Sequence, residues 1–279
     1  MKLVIAEKPS VMRDIAAVLG AAQKTADGAL CGNGYIVTAA RGHLVRLKQP
    51  EEYNERYKKW SLSDLPLIPD FQFVPVENAA SVLHTLSKLM NSSRIDEIIE
   101  ATDAGREGEC IFRYIYNYIG CTKPVRRLWI SSMTEASIRD GFANLKSASE
   151  YDNLYSAGFT RSKIDWLWGM NLTRLYTNYF GAKCSIGRVR TAVLNMLVQR
   201  ENEISNFVKR PFYKVKLSNG AEWFDDDVDC LSERIAAERI LEICKGQPVM
   251  VKSIISQKKK ENRPLLFSLT SLQIAANDE

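Results

Sequence analysis

Hydrophobic and polar positions in the first 150 residues follow two alternating patterns. The short apolar runs "KLVIA" at 2–6 and "EIIEA" at 97–101 read as strands, and each precedes a segment with helical periodicity. Gly120 is expected to end the second of these helices, and a third strand at 125–133 is followed by a helix that begins near Thr134. Strands that alternate with helices predict an α/β fold with a mainly parallel sheet flanked by helices.

The pattern changes twice after residue 150. Residues 150–207 have helical periodicity throughout, and beyond Pro211 the alternating segment "FYKVKLSNGAEWF" contains an Asn-Gly pair that is typical of a hairpin turn. A helix capped by Ser232 and ended by Gly246, a strand at 248–257 and the beginning of a helix at "LTSLQIAAN" complete the predicted order.

These changes predict three regions along the chain. Residues 1–150 form the sheet domain, with an irregular excursion near 40–75 that is rich in proline, tyrosine and charge. Residues 151–210 form a helical domain, and residues 211–279 form part of a β-containing domain.

Composition favours a soluble, cytoplasmic protein. The chain has 279 residues, of which 46% are hydrophobic and 25% charged, and no apolar run has the length of a membrane span. The apolar run at the N-terminus is too short for a signal peptide. The six cysteines form no Cys-x-x-Cys pair, so we expect reduced thiols and no zinc site.

Positive charge is concentrated in one segment. Residues 161–200 contain seven lysines and arginines and a single acid, Asp165, so this segment carries a charge of +6. The whole chain has a net charge of +5, so the charges of all other residues sum to about −1. Such a segment on a near-neutral body suggests a face that binds a polyanion. A solvated helix face explains the charge equally well.

Carboxylates cluster where strands are expected to end. Glu7 follows the first strand, Asp103 follows the second, and Glu107 lies one helical turn beyond Asp103. In a parallel sheet the carboxyl ends of strands share one edge, and converging carboxylates there suit Mg²⁺. For Asp103 and Glu107 alone, the simpler interpretation is favourable placement at a helix N-terminus. Lys8, Arg106 and two nearby glycines favour Mg²⁺-dependent work on phosphodiesters.

These residues resemble the TOPRIM domain, a phosphoryl-transfer module of topoisomerases, primases and some nucleases. The motifs "AEKPSVMRDIAAVLG", "RGHLVRL", "TDAGREGE", "TRSKIDWLWGMNLTRLYT", "SIGRVRTAVLNMLVQRENEI" and "LTSLQIAAN" occur in the order of type IA DNA topoisomerases. The chain is most similar to the bacterial topoisomerase III branch of that family. The resemblance implies an enzyme that cuts, passes and reseals single DNA strands with Mg²⁺.

The resemblance also implies roles for individual residues. Glu7 is the general acid/base, while Lys8 and Arg188 contact the scissile phosphate. Glu7, Asp103 and Glu107 form the metal site. The residues implied in DNA binding are Arg106, Arg161, Asp165, Arg174 and Arg190.

Aromatic residues in the basic segment have two interpretations. Trp166, Trp168 and Tyr176 are able to stack on bases of a single strand. Trp166 and Trp168 are two positions apart and cannot share a helix face, so we expect at least one of them to pack inside the protein.

Two features depart from the family pattern. Family members carry a nucleophilic tyrosine in a Tyr-x-Arg-Thr motif, and none of the 11 tyrosines here has arginine two positions on. We therefore expect an N-terminal fragment that is monomeric, binds DNA, preferentially single-stranded, and is inactive alone. Many members also carry aspartate where this chain has Gly105, so we expect one bound cation rather than two.

Two other functions remain open at this stage. A TOPRIM nuclease or primase-like enzyme needs no tyrosine nucleophile and predicts Mg²⁺-dependent nicking by this chain alone. A DNA-binding accessory protein predicts binding without any strand cleavage.

Overall fold

The structure, a computed structural model, describes most of the chain. The described residues are 1–216, 220, 222–223, 231–261, 263 and 266–277. The chain divides into two compact units, Met1–Asn202 and Glu203–Glu279. Residues 151–202 lie in the same unit as the sheet, and the domain boundaries at 150 and 210 stay predictions.

Seven strands form the central sheet of the first unit. The strands of the described residues are β1 (Lys2–Ala6), β2 (Gln23–Lys24), β3 (Leu30–Gly32), β4 (Tyr35–Ala39), β5 (Val45–Leu47), β6 (Phe73–Pro75), β7 (Glu97–Ala101), β8 (Val125–Arg127) and β9 (Lys146–Ser147). The order in the central sheet is β2-β3-β4-β1-β7-β8-β9, in which β4, β1, β7 and β8 are parallel and the remaining pairs are antiparallel. Strands β5 and β6 form a separate antiparallel pair. The predicted α/β fold with a mainly parallel sheet is confirmed.

The α-helices in the described part of the chain are α1 (Pro9–Leu19), α2 (Pro50–Tyr53), α3 (Ala80–Met90), α4 (Arg106–Ile119), α5 (Glu135–Ala143), α6 (Asp152–Phe180), α7 (Arg188–Ser205), α8 (Arg234–Cys244) and α9 (Leu269–Asn277). Of these, α1, α3, α4 and α5 cover the two faces of the sheet. None of the helices in the described part of the chain is both long and apolar enough to cross a membrane.

The sheet is buried because its apolar strands are covered on both sides. One core packs α3 and α4 against the face that includes Leu3 and Ile98. The other packs α1 and α5 against the face that includes Val4 and Ile99. Neighbouring positions on one strand thus enter different cores, which explains why the sequence of β1 and β7 is a continuous apolar run.

Capping residues mark the end of α4 and the beginning of α5 where the sequence predicts them. Gly120 follows α4 in the left-handed conformation, with φ of 69°, which glycine adopts without a steric cost. The hydroxyl oxygen of Thr134 accepts a hydrogen bond from the Ser137 amide and caps α5.

The excursion near 40–75 packs against α6. Trp166 is buried beside Tyr53 and Phe71, and its Nε1 donates to the Lys48 carbonyl at 2.8 Å. Trp168 is exposed. The packing interpretation is therefore confirmed for Trp166.

The second unit agrees only in part with the sequence pattern. Bridges between Tyr213 and Leu231 and between Lys216 and Glu222 show antiparallel pairing, while the asparagine of the predicted Asn-Gly turn lies outside the described residues. Helix α8 begins at Arg234, later than its predicted cap, and α9 is confirmed. The strand predicted at 248–257 is wrong, because this segment pairs with no strand among the described residues.

Candidate active site

The ends of β1 and β7 build the centre of the site. The two strands pair in parallel with Ala6 opposite Ala101, so the residues that follow them emerge side by side. The Asp103 amide donates to Glu7 Oε2 at 3.2 Å, which joins the two strand ends. Glu7 and Asp103 thus meet at the carboxyl edge of the sheet, where sequence reasoning expected them.

Lys8 joins the two carboxylates. Its Nζ donates to Asp103 Oδ2 at 2.9 Å and lies 3.6 Å from Glu7 Oε1. The hydrogen bond to Asp103, and then the charges of Asp103 and Glu7, raise the pKa of Lys8. Lys8 therefore stays protonated and presents an exposed cation beside both acids.

Glu107 occupies a different part of the site. It lies in the first turn of α4 with its side chain 82% exposed, and its Oε1 is 3.3 Å from His43 Nε2. Across the described part of the chain, no three His, Cys, Asp or Glu side chains are close enough together to hold a metal ion. The predicted convergence of Glu7, Asp103 and Glu107 on one point is absent from the described residues: Lys8 donates a hydrogen bond to Asp103, whereas Glu107 lies beside His43.

Gly108 lets the loop after β7 lie against the start of α4. A Cβ atom at position 108 would lie 2.1 Å from the carbonyl oxygen of Asp103. The Thr102 hydroxyl donates a hydrogen bond to the Gly108 carbonyl at 2.9 Å, which also ties the end of β7 to the first turns of α4. Gly105, in contrast, has an extended backbone, and a Cβ there would meet nothing within 4 Å.

A buried ion network supports this loop from below. Arg127, at the end of β8, is fully buried, and its guanidinium donates to the carbonyls of Thr102 and Asp103, both at 2.8 Å. Its Nε lies 3.4 Å from a carboxylate oxygen of Glu100 and 3.3 Å from one of Glu109, and both acids are also fully buried. Burial raises the pKa of Glu100 well above its usual range. Arg127 thus fixes the backbone that carries Asp103.

Helix α6 brings the basic segment to the site. Gly158 allows a close approach to α4, since a Cβ there would lie 2.5 Å from Cys110 Sγ. A cavity of about 240 Å³ between these helices is lined by residues from both sides of the site, among them His43, Arg106, Glu107, Arg161 and Asp165.

Arg188 forms an ion pair with Asp165 of α6, away from the pair of Lys8 and Asp103. Its Nε donates to Asp165 Oδ1 at 2.8 Å, and Arg161 lies 3.7 Å from the same carboxylate. The hydrogen bond from Arg188 is the main reason that the pKa of Asp165 is lowered. Arg190, which donates to the Ser185 hydroxyl at 2.5 Å, lines a second cavity of about 400 Å³ with these three residues.

Known proteins match this combination of fold and site. The Toprim domain family matches residues 2–133, and the DNA topoisomerase family Topoisom_bac matches residues 149–279. DNA topoisomerase 3 of Bacillus thuringiensis (strain Al Hakam) is 42% identical to this chain over 99% of its length and 38% of the relative's. DNA topoisomerase 3 of Bacillus subtilis (strain 168) is 38% identical over 97% of this chain and 38% of the relative.

The chain belongs to the type IA DNA topoisomerase family. Full-length Topoisomerase I from Thermotoga maritima shares the fold, with a TM-score of 0.59 and 24% identity over 85% of this chain and 37% of that chain. The chain spans about 38% of the length of the curated topoisomerases that it matches. The family resemblance predicted from the sequence motifs is confirmed.

The predicted role of Arg174 in DNA binding is wrong. Arg174 is only 3% exposed, donates to the Tyr57 carbonyl at 2.9 Å and lies over the Trp60 ring. Its guanidinium is also 3.6 Å from a carboxylate oxygen of Glu51. Because the excursion covers this face of α6, Arg174 is a packing residue in this topoisomerase chain and is not available to DNA.

Sequence reasoning missed His43 as a site residue. It follows β4, which pairs in parallel with β1, with Ala39 opposite Ala6, so the segment after β4 reaches the same edge of the sheet. The Gly42 amide, in a left-handed conformation with φ of 90°, donates to the Glu7 carbonyl at 3.1 Å. The Gly-His pair after the apolar run "YIVTA" was the available signal.

Proposed function

We propose that this chain forms the Toprim-based half of a site that cleaves and rejoins single DNA strands. The observation that carries the proposal is the pair of strand ends at which Lys8 bridges Glu7 and Asp103. This arrangement offers a fixed cation to a phosphate beside two carboxylates. Arg106 and Arg161, which line the adjoining cavity, supply positive charge for the neighbouring backbone.

We further propose roles for the site residues that agree with the family resemblance. Lys8 stabilises negative charge that develops on the scissile phosphate. Glu7, oriented by the Asp103 amide, takes or gives a proton at that phosphate. Arg161 binds the strand along α6, and Arg188, which shares the partner Asp165 with it, contacts the scissile phosphate.

Mg²⁺ is the proposed cofactor, and the donor set fits it. Asp103 and Glu107 present exposed carboxylates, with Glu7 close to the first, and Mg²⁺ takes only one or two carboxylates while it keeps several waters. When bound, Mg²⁺ neutralises phosphate charge and helps to position a broken end. We propose that the protein acts on DNA in the cytoplasm.

The proposed function has a direct test with the 279-residue chain. We expect it to bind a fluorescein-labelled single-stranded oligonucleotide, measured by anisotropy, and to leave supercoiled plasmid intact with or without Mg²⁺, because no tyrosine has arginine two positions on. Nicking that a chelator abolishes would favour a TOPRIM nuclease instead. Failure to bind any single strand would contradict the proposal.

Salt dependence separates Arg161 from Arg174. Each phosphate contact of a single strand contributes about −0.7 to the slope of log K against log salt. We expect Arg161→Gln to make this slope shallower by about 0.7. Arg174→Gln should leave it unchanged and lower the melting temperature, because Arg174 is buried. A shallower slope for Arg174→Gln would contradict its assignment as a packing residue.

Position 105 has room for the acid that many family members carry. We expect Gly105→Asp to bind Mg²⁺ about tenfold more tightly, since a third exposed carboxylate increases the local negative charge. The extended backbone and the open space at this position allow the substitution without strain. Calorimetric titration with MgCl₂ measures the change, and Gly105→Asn is the uncharged control. Equal affinity of the two variants would show that position 105 does not face the metal.

A further inference from the structure

A third cavity, distinct from the two that α6 lines, opens beside Asp103 on the side away from α6. Its volume is about 390 Å³, within the range of sites that hold small organic groups. It lies at the carboxyl ends of β7 and β8, where ligands of parallel sheets bind. Its buried lining includes Ile15 and Leu128, Ile130 is partly buried, and its exposed lining includes Asp103, Ser131 and Met133.

The two cavities beside the loop after β7 lie on opposite faces of the sheet. The cavity between α4 and α6 is lined by Cys110 and Tyr114, which belong to the core beneath α4. The 390 Å³ cavity is lined by Ile15 and Leu128, which belong to the core beneath α1 and α5. The loop that carries Asp103 therefore runs between the two openings.

We propose that the 390 Å³ cavity binds one nucleoside of the DNA strand, the one on the side of the site phosphate away from α6. This inference rests on the proposed function, because it takes a phosphate at Lys8 as its starting point. A phosphodiester links two nucleosides, and with its phosphate beside Lys8 and Asp103 the two cavities offer a place for one nucleoside on each face. The cavity with Arg106 and Arg161 receives one nucleoside, and the 390 Å³ cavity receives the other.

The lining determines how this nucleoside is recognised. Among the described residues that line the cavity, none is aromatic, so the ligand gains van der Waals contact with aliphatic side chains rather than ring stacking. The Ser131 hydroxyl and the Asp103 carboxylate offer few hydrogen bonds to a sugar hydroxyl or a base. Discrimination between bases requires fixed donors and acceptors along the base edge, so the subsite accepts all four bases with similar affinity.

A cavity-filling variant tests the subsite. Met133→Trp adds bulk at the exposed lining, and we expect it to weaken binding of a 12-nucleotide single strand by about five- to tenfold. The salt slope should not change, because no phosphate contact is lost. Leu62→Trp places the same side chain at an exposed position outside the cavity, and it is expected to bind as the wild type does. Anisotropy titrations and melting temperatures are measured for each chain.

A second variant and a base comparison keep the test sharp. Met133→Ala removes contacts without adding bulk, so it should weaken binding by about two- to threefold. Wild-type affinities for oligo-dT, oligo-dA and oligo-dC are expected to agree within about threefold once strand stacking is accounted for. Wild-type affinity of Met133→Trp for the 12-mer would overturn the subsite. Absence of DNA binding by the wild-type chain itself would overturn the proposed function instead.

Discussion

Replacement of Arg127 with methionine is expected to lower the free energy of unfolding by about 3–5 kcal/mol, because it leaves the buried carboxylate of Glu100 without its cation and that of Glu109 with Arg113 alone. Arg127, Glu100 and Glu109 are all fully buried. The change also removes the donors to the carbonyls of Thr102 and Asp103, so binding of Mg²⁺ and DNA should weaken beyond the loss of folded protein. Urea denaturation and calorimetry measure the two effects.

Two matched variants separate the ion network from a simple loss of charge. Arg126→Met removes the neighbouring, partly exposed arginine and should change stability by less than about 0.5 kcal/mol. Combining Arg127→Met with Glu100→Gln removes the uncompensated charge of Glu100 and should restore part of the stability, while Glu109 keeps its ion pair with Arg113. An Arg127→Met protein as stable as the wild type would show that the network does not hold the loop.

The cost of Arg127→Met should depend on pH. Burial raises the pKa of Glu100 above its ordinary value of 4.5, and Arg127 is the neighbour that most lowers it again. Without Arg127 the pKa rises further in the folded state. A raised carboxyl pKa destabilises the fold fully above the folded-state pKa and not at all below the unfolded value. The contribution of Glu100 to the difference between variant and wild type should therefore be largest above both folded-state pKa values, and it should vanish below the wild-type one, which lies above 4.5.

Substitution of Gly108 by alanine is expected to cost about 3 kcal/mol, because overpacking costs roughly 1–3 kcal/mol and a hydrogen bond about 1 kcal/mol more. The added Cβ would lie 2.1 Å from the Asp103 carbonyl oxygen and 2.9 Å from the Asp103 nitrogen. Both atoms are backbone atoms, so no side-chain rotation relieves the clash. The loop must move away from α4, and the Thr102 hydroxyl then loses its bond to the Gly108 carbonyl.

Gly105→Ala is the matched control three residues away. Its backbone is extended and its Cβ position is empty, so we expect a change of less than about 0.5 kcal/mol. Thermal denaturation measures both variants, and Mg²⁺ titration reports whether Asp103 has moved. Equal stability of the two variants would contradict the close packing of the loop on α4.

Sequence patterns predicted most of the frame of the site. The apolar runs of β1 and β7 are continuous because both faces are covered, and that pattern is visible without coordinates. The acids that follow these runs were predicted to meet, and Glu7 and Asp103 do. Strand 248–257 was predicted wrongly, because alternation of residues does not reveal whether a partner strand lies alongside.

By itself the sequence determined the strand–helix order, the carboxyl edge that carries Glu7 and Asp103, and the topoisomerase family, because periodicity and short motifs are local properties of the chain. Only the tertiary structure decided which charged side chains face solvent. Arg174 and Arg161 lie on the same helix, yet the first is covered by the excursion and the second remains exposed. It also decided that Lys8 bridges the two acids and that Arg127 holds the loop that carries Asp103. These contacts join residues about 24 to 95 positions apart in the chain, and a local sequence pattern does not predict which distant segments meet.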